Sequence, residues 1–308
     1  MLINSKWGIA GFIAIALLGS SARGSTNIFA CESEWGALAK EIAPKAHIFN
    51  AIKAKQDPHQ IQARPSLISQ LHKADLAICS GAELEAGWLP ALQLKAANPK
   101  ILTGKPGLLF AANVVETIDK IDNPSLIMGD VHPEGNPHIH LDPYRLLEVG
   151  QQLTQRLSLI NASEKGYYNA QFDQFSQHWK KRIKQWEDKA EPLKGMKVIA
   201  YHSSFNYLFQ WLGIEMVGDL EPKPGLPPSS KHLAALLELT KKTPVDAIVY
   251  TPYQDKRGAK WLGDKSGIPV VQLPFTVDEG SVNISSLEGL FNTLIDDLLS
   301  IKRNHAQR

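Results

Sequence analysis

NASEKGYYNAQFDQFSQHWKKRIKQWEDK, residues 161–189, decides the fold. It holds no proline and only one glycine, Gly166. Tyr168, Phe172, Phe175, Trp179, Ile183 and Trp186 recur at steps of three or four, the spacing that puts them on one face of an α-helix. Lys180, Lys181, Arg182, Lys184, Glu187 and Asp188 crowd the other positions as a solvated face. Asn161 with Glu164 has the form of a capping box, and Pro192 and Gly195 stop the run. Roughly 28 residues at 1.5 Å each make a rod of about 42 Å, long enough to cross the molecule. Such a helix in mid-chain is expected to be a spine between two halves.

Either side of the rod the pattern alternates. Before it, TNIFAC, AHIFNAI and DLAICSG read as buried strands, each followed by a helix-like segment: SEWGALAKEIA, PSLISQLHKA and AELEAGWLPALQLKAA. After Gly195 come MKVIAY, DAIVYTP and PVVQLPF as strands, with NYLFQWL, SSKHLAALLELTKK and KRGAKWLG as helices. Near-continuous apolar strands alternating with helices define an α/β fold with parallel sheets. The expected architecture is two lobes, each a mostly parallel sheet flanked by helices, joined by one long rigid helix. Residues 25–160 form the first lobe, 161–190 the link and 195–308 the second.

Composition narrows the function. The 308 residues, 44% hydrophobic and 21% charged, describe a globular chain with room for one large core or two ordinary ones. Lys and Arg total 33 against 31 Asp and Glu, which disfavours nucleic acid as the main partner. At the N-terminus, Lys6, the apolar run WGIAGFIAIALLG and the small residues Ser20 and Ala22 read as a signal peptide over 1–22. That run is too short to span a membrane, and no second one follows. Ile28-Phe29-Ala30-Cys31 stands too far from the run for a lipidated cysteine. A soluble periplasmic protein, monomeric, is the expectation. Cys31 and Cys79 each lie in a strand-like run; export permits a bridge between them, and two buried thiols are the alternative.

The ten histidines differ in context. His47, His72, His178, His232 and His305 lie in strands, helices or the tail, where packing or surface roles suffice. His59, His132, His138, His140 and His202 stand in loops, and His202 directly ends MKVIAYH. Ligands of open α/β sheets bind outside the carboxyl ends of the strands, so imidazoles from both halves would converge there. Neutral imidazoles at one point suit a borderline-soft divalent ion such as zinc. Proline before His59 and His138 limits what the loops lose in freedom on binding. Within NPHIHLDP (136–143), Asp142 and Pro143 make a good helix opening: a side-chain cap, then proline in the first turn.

DPHQIQARPS (57–66), NPHIHLDP, VIAYHSSFNYLFQWLG (198–213) and EPKPGLPPSSKHLAALLE (221–238) together resemble the solute-binding subunits of zinc and manganese ABC transporters. The likeness covers essentially the whole mature chain. It implies two lobes joined by a rigid helix, with Zn²⁺ carried between them as the transported ion and passed to a membrane permease. A periplasmic metallochaperone is a second candidate partner. Carried over by motif, the ligands are His59, His138 and His202, while His140 lines the cleft wall. The resemblance also implies a late acidic ligand. Asp278 of FTVDEG is preferred over Glu279, and water is the alternative. Where many relatives carry a long histidine- and acid-rich loop, this chain has only Asp130, His132 and Glu134. These either capture metal loosely or are plain solvated loop.

Three imidazoles favour zinc over manganese or iron, which take more oxygen ligands. A secreted zinc hydrolase is the reading from another class, but the chain has no HExxH and no carboxylate placed as a general base. A non-enzymatic binding protein is expected.

Overall fold

The computed structural model describes residues 25–124, 128 and 131–306. The expected signal peptide and Asp130 lie outside those residues. Strands β1 (Asn27–Ala30), β2 (His47–Asn50), β3 (Leu76–Cys79) and β4 (Leu108–Phe110) form one parallel sheet in the order β2-β1-β3-β4. Strands β5 (Lys197–Ala200), β6 (Glu215–Asp219), β7 (Ala247–Tyr250) and β8 (Val270–Gln272) form a second parallel sheet in the order β6-β5-β7-β8. The two sheets share one topology. In each, the first strand is flanked on one side by the second strand and on the other by the third. That opens a crevice at the carboxyl ends of β1 and β3, and likewise of β5 and β7.

Helices α1 (Ser33–Ile42), α2 (Pro65–Lys73) and α3 (Leu89–Ala96) accompany the first sheet. Helices α6 (Asn206–Leu212), α7 (Ser230–Lys242) and α8 (Lys256–Ser266) accompany the second. Between the halves run α4 (Pro143–Ile160) and α5 (Lys165–Ala190). Asp142 caps α4 by accepting from the Tyr144 and Arg145 amides, with Pro143 in the first turn. The capping box expected at Asn161 does not form. A 3-10 turn at Ala162–Glu164 intervenes, and the Asn161 side chain accepts from Ser163 Oγ. Helix α5 then runs 26 residues, about 39 Å.

Its stripe is buried as the spacing implies: Tyr168, Phe175, Trp179, Ile183, Trp186 and Ala190 all face inward. Trp179 stacks on Phe175 at 5.3 Å and donates its indole N–H to Pro143 O. Trp186 stacks on Phe291 at 5.0 Å and donates to Asn292 Oδ1. Phe291 and Asn292 belong to α9 (Leu287–Ala306), which packs on α5 and reaches α1 of the first half. One apolar cluster therefore joins Ile28 and Leu76 of the first sheet to Val198 and Ala247 of the second. The link is a shared core, and its helix is a poor hinge because bending would break backbone hydrogen bonds.

Cys31 and Cys79, at the ends of neighbouring β1 and β3, are joined in a buried disulfide with Cα atoms 4.8 Å apart. Helix α3 begins at Leu89, later than AELEAGWLP suggests. Gly81, Ala82 and Glu83 all take positive φ, and the buried Glu85 carboxylate accepts from the Ser80 and Gly81 amides. That anchorage turns the chain before the helix can start. No helix among the described residues is long and apolar enough to cross a membrane.

Candidate metal centre

His59, His138 and His202 meet at the crevice between the halves. Their ring centroids form a near-equilateral triangle with sides of 6.3 Å (His59–His138), 6.4 Å (His59–His202) and 6.0 Å (His138–His202). His202 stands two residues past the end of β5, at the switch point of the second sheet, and His59 comes from the long loop after β2. His138 sits just before the turn that leads into α4, its amide fixed by Asn136 Oδ1 at 3.0 Å.

Each ring is oriented from behind. His59 Nδ1 donates to Asp57 Oδ1 at 2.8 Å, and the same oxygen accepts the His59 amide. His202 Nδ1 donates to Glu221 Oε2 at 2.9 Å, an oxygen that also accepts from the Gly225 amide. A carboxylate only accepts, so each Nδ1 carries a proton, and it is Nε2 of each ring that is available to a metal ion. Burial works to raise the Asp57 carboxyl, but the His59 hydrogen bonds outweigh it and leave it below the usual range. His138 is 1% exposed, and its Nε2 has no hydrogen-bond partner among the described residues. Burial, then the neighbouring imidazoles, hold its pKa well below the ordinary value, so it stays neutral. A buried nitrogen left orphaned beside two imidazoles oriented by carboxylates is a donor set that fits a metal cation.

Beside the triangle, His59, His202, Asp57 and Glu221 line an open cavity of about 210 Å³. Asp57 and Glu221, the residues that aim the ligands, were not singled out from the sequence. D-P-H and the acid opening EPKPG were the available signals, because ligating histidines regularly pass their second N–H to a carboxylate.

Asp278 forms no hydrogen bond or ion pair with the histidines among the described residues. After β8 the apolar residues Leu273, Phe275 and Val277 are buried, and Asp278 beyond them is half-buried. Asp278 Oδ1 accepts the Gly280 amide, and the side chain borders a hollow with Phe49, Asn50 and Arg64. Glu279 accepts from Asn50 Nδ2. His140 lies under the cleft wall and is fully enclosed. Its Nε2 donates to Phe275 O at 2.8 Å, and Nδ1 stands 3.1 Å from Glu34 Oε1 of α1. Phe275 stands edge-on to both the His138 and the His140 ring. Of the short acidic loop, Glu134 is exposed and His132 approaches the triangle.

Fold and site together have the form of a two-lobed binding protein whose crevice suits a metal ion. The sequence pattern of the family described as ZnuA, zinc-uptake complex component A, periplasmic, matches residues 28–299, and the chain belongs to that family. It is a family of metal-binding transport components, not of enzymes. The zinc-binding protein AdcA of Streptococcus pyogenes serotype M1 is 21% identical over 240 residues, covering 75% of this chain and 46% of its own length. The chain thus spans about half the length of such curated relatives. The metal ABC transporter substrate-binding lipoprotein SloC of Streptococcus mutans serotype c is 24% identical over 245 residues, 78% of this chain and 77% of that protein. A crystal structure of ZnuA superposes with a TM-score of 0.71 at 17% identity, over 92% of this chain and 99% of that one, and shares the fold.

Proposed function

We propose that this protein is the periplasmic zinc-carrying component of an ABC-type importer. It holds one Zn²⁺ between its lobes through Nε2 of His59, His138 and His202 and delivers it to a membrane permease. The observation that carries this is the triangle itself: three imidazoles, two oriented by carboxylates and one with an orphaned buried nitrogen. The donor set speaks for zinc over manganese. The nearby carboxylates Asp57 and Glu221 are engaged in holding Nδ1 atoms, which leaves nitrogen facing the ion, and manganese favours oxygen. The Cys31–Cys79 bond suits an oxidising compartment such as the periplasm. A metallochaperone that loads the site is a further proposed partner.

Competition tests the choice of ion. Protein purified without chelator should carry one zinc per chain, and a roughly 100-fold excess of manganese should leave it in place. Displacement by manganese, or a chain that takes up no zinc, would overturn the reading.

A further inference from the structure

Three buried carboxylates of the first half take no part in the histidine triangle. Glu32, Glu34 and Glu85 are 3%, 2% and 2% exposed, and among the described residues none pairs with a Lys or Arg. A carboxylate out of water is costly unless it is matched. Glu34 is matched, by His140 and by the Thr276 hydroxyl. Glu85 accepts the Ser80 amide at 2.7 Å and the Gly81 amide at 3.0 Å. Glu32 is matched on one side only. Its Oε2 accepts from Ser80 Oγ at 3.2 Å, while its Oε1 has no hydrogen-bond partner among the described residues. Burial, then Glu85 and Glu34 close by, push the Glu32 carboxyl well above its ordinary range, and burial raises Glu85 as well. A cation at this point would replace the proton that the pair holds.

Sulfur lies at the same point. Sγ of Cys31, Sγ of Cys79 and a carboxylate oxygen of Glu85 all lie within 4.8 Å of one another, and all three residues are buried. Cys31 follows β1 and Cys79 ends β3, so the group stands at the switch point of the first sheet. His202 holds the matching place beyond β5 in the second sheet. Glu32 comes directly after Cys31 and lines one small hollow together with His138. As a disulfide the two sulfurs carry no charge and offer a cation little. A dithiol opens the bond by exchange: it becomes a disulfide itself, and Cys31 and Cys79 gain two electrons and two protons as thiols. Zinc replaces the two thiol protons, which pass to solvent, because thiolate is the ligand. Two thiolates and two carboxylate oxygens make a tetrahedral site, with sulfur at about 2.3 Å and oxygen at about 2.0–2.2 Å.

We infer that Cys31, Cys79 and Glu85 form a second zinc site, closed by the disulfide and opened when a dithiol reduces it. Glu32 supplies the fourth donor through the oxygen that has no partner. An oxidising compartment keeps the site shut, and reduction opens it. Thiolate ligands select zinc over oxygen-seeking ions such as manganese. The site stands apart from the zinc-carrying reading above, since none of the three histidines takes part in it.

Zinc content per chain and zinc-edge X-ray absorption test this on the whole protein, oxidised and after treatment with a water-soluble phosphine. The phosphine takes oxygen from water and leaves two thiols, which a thiol titration counts. Melting of the metal-free proteins confirms that each form folds. The oxidised parent should show no sulfur around zinc. The reduced parent should take up one further zinc per chain, with two sulfurs at about 2.3 Å. The double variant Cys31→Ser, Cys79→Ser should gain neither the extra zinc nor the sulfur signal. Glu85→Gln keeps both cysteines and, once reduced, should hold the second zinc at least about tenfold more weakly, the lower bound for losing a residue that merely orients a ligand. Reduced His138→Ala should keep the sulfur-bound zinc, which separates the two sites. A reduced parent with no extra zinc, or with extra zinc but no sulfur, would overturn the inference, as would a bond that the phosphine opens only by unfolding the chain. An oxidised parent that binds no zinc would overturn the zinc-carrying reading alone.

Discussion

His138→Ala is expected to abolish tight zinc binding, with an affinity loss well beyond 100-fold. Loss of a residue that only orients a ligand costs roughly 10–100-fold, and His138 is proposed to touch the ion. The variant removes the most buried of the three rings. Phe275 packs edge-on against it at 5.1 Å and offers no donor there. His59→Ala and His202→Ala should behave alike, whereas Asp57→Asn and Glu221→Gln should fall in the smaller range, since each disturbs only the ring behind which it sits. Isothermal titration against a competing chelator reads all five. Affinity should also fall between pH 7.5 and pH 5.5, because protons compete for the same Nε2 lone pairs. His138 adds a stability component of definite sign. Its folded pKa is depressed, so the unfolded chain binds the proton more readily. Metal-free protein should therefore lose stability as pH drops below the ordinary imidazole value near 6.5. Affinity that stays flat over this range, or His138→Ala binding like the parent, would contradict the histidine site.

His140→Ala is expected to separate stability from binding. The ring is fully buried and joins α1 to the segment after β8 through Glu34 and Phe275 O. Truncation leaves a cavity, a carbonyl without its donor and a buried carboxylate without its neighbour. Such losses cost roughly 2–5 kcal/mol, which lowers Tm by about 5–10 °C in a chain of this size. Zinc affinity should change far less than in His138→Ala, because His140 faces away from the triangle toward Phe275 O and Glu34. Calorimetry on the metal-free protein, paired with the same titration, reads both effects. A stable His140→Ala protein that cannot bind zinc would reverse the roles of the two histidines in NPHIHLDP.

Much of the architecture was legible because its elements obey strong local rules. The stripe from Tyr168 to Trp186 can be buried only as a helix, and doubly covered parallel strands such as LAIC must be apolar throughout. The edge strands were harder. β4 is three residues long, and β6, EMVGD, is half-exposed with a glycine and two acids, so neither stands out from loop. Leu287, Leu290, Phe291, Leu294 and Leu298 recur at helical spacing in α9, but spacing does not tell that this last helix returns to α5 and α1. In the site, His59, His138 and His202 could be read from their place after strands and beside prolines. Asp278 was expected because the resemblance implies a late acidic ligand. Before it, the apolar alternation Leu273, Phe275, Val277 is buried. The approach of His132 to His59 spans 73 residues and depends on a left-handed backbone at Ala82, which no local pattern announces.

Crystals of the zinc-loaded protein, with anomalous diffraction recorded just above and just below the zinc edge, test the central claim most directly. The account predicts one strong peak per chain that vanishes below the edge, about 2.0–2.1 Å from Nε2 of His59, His138 and His202. A peak elsewhere, at Asp278 or on the surface with these three nitrogens unbound, would contradict it.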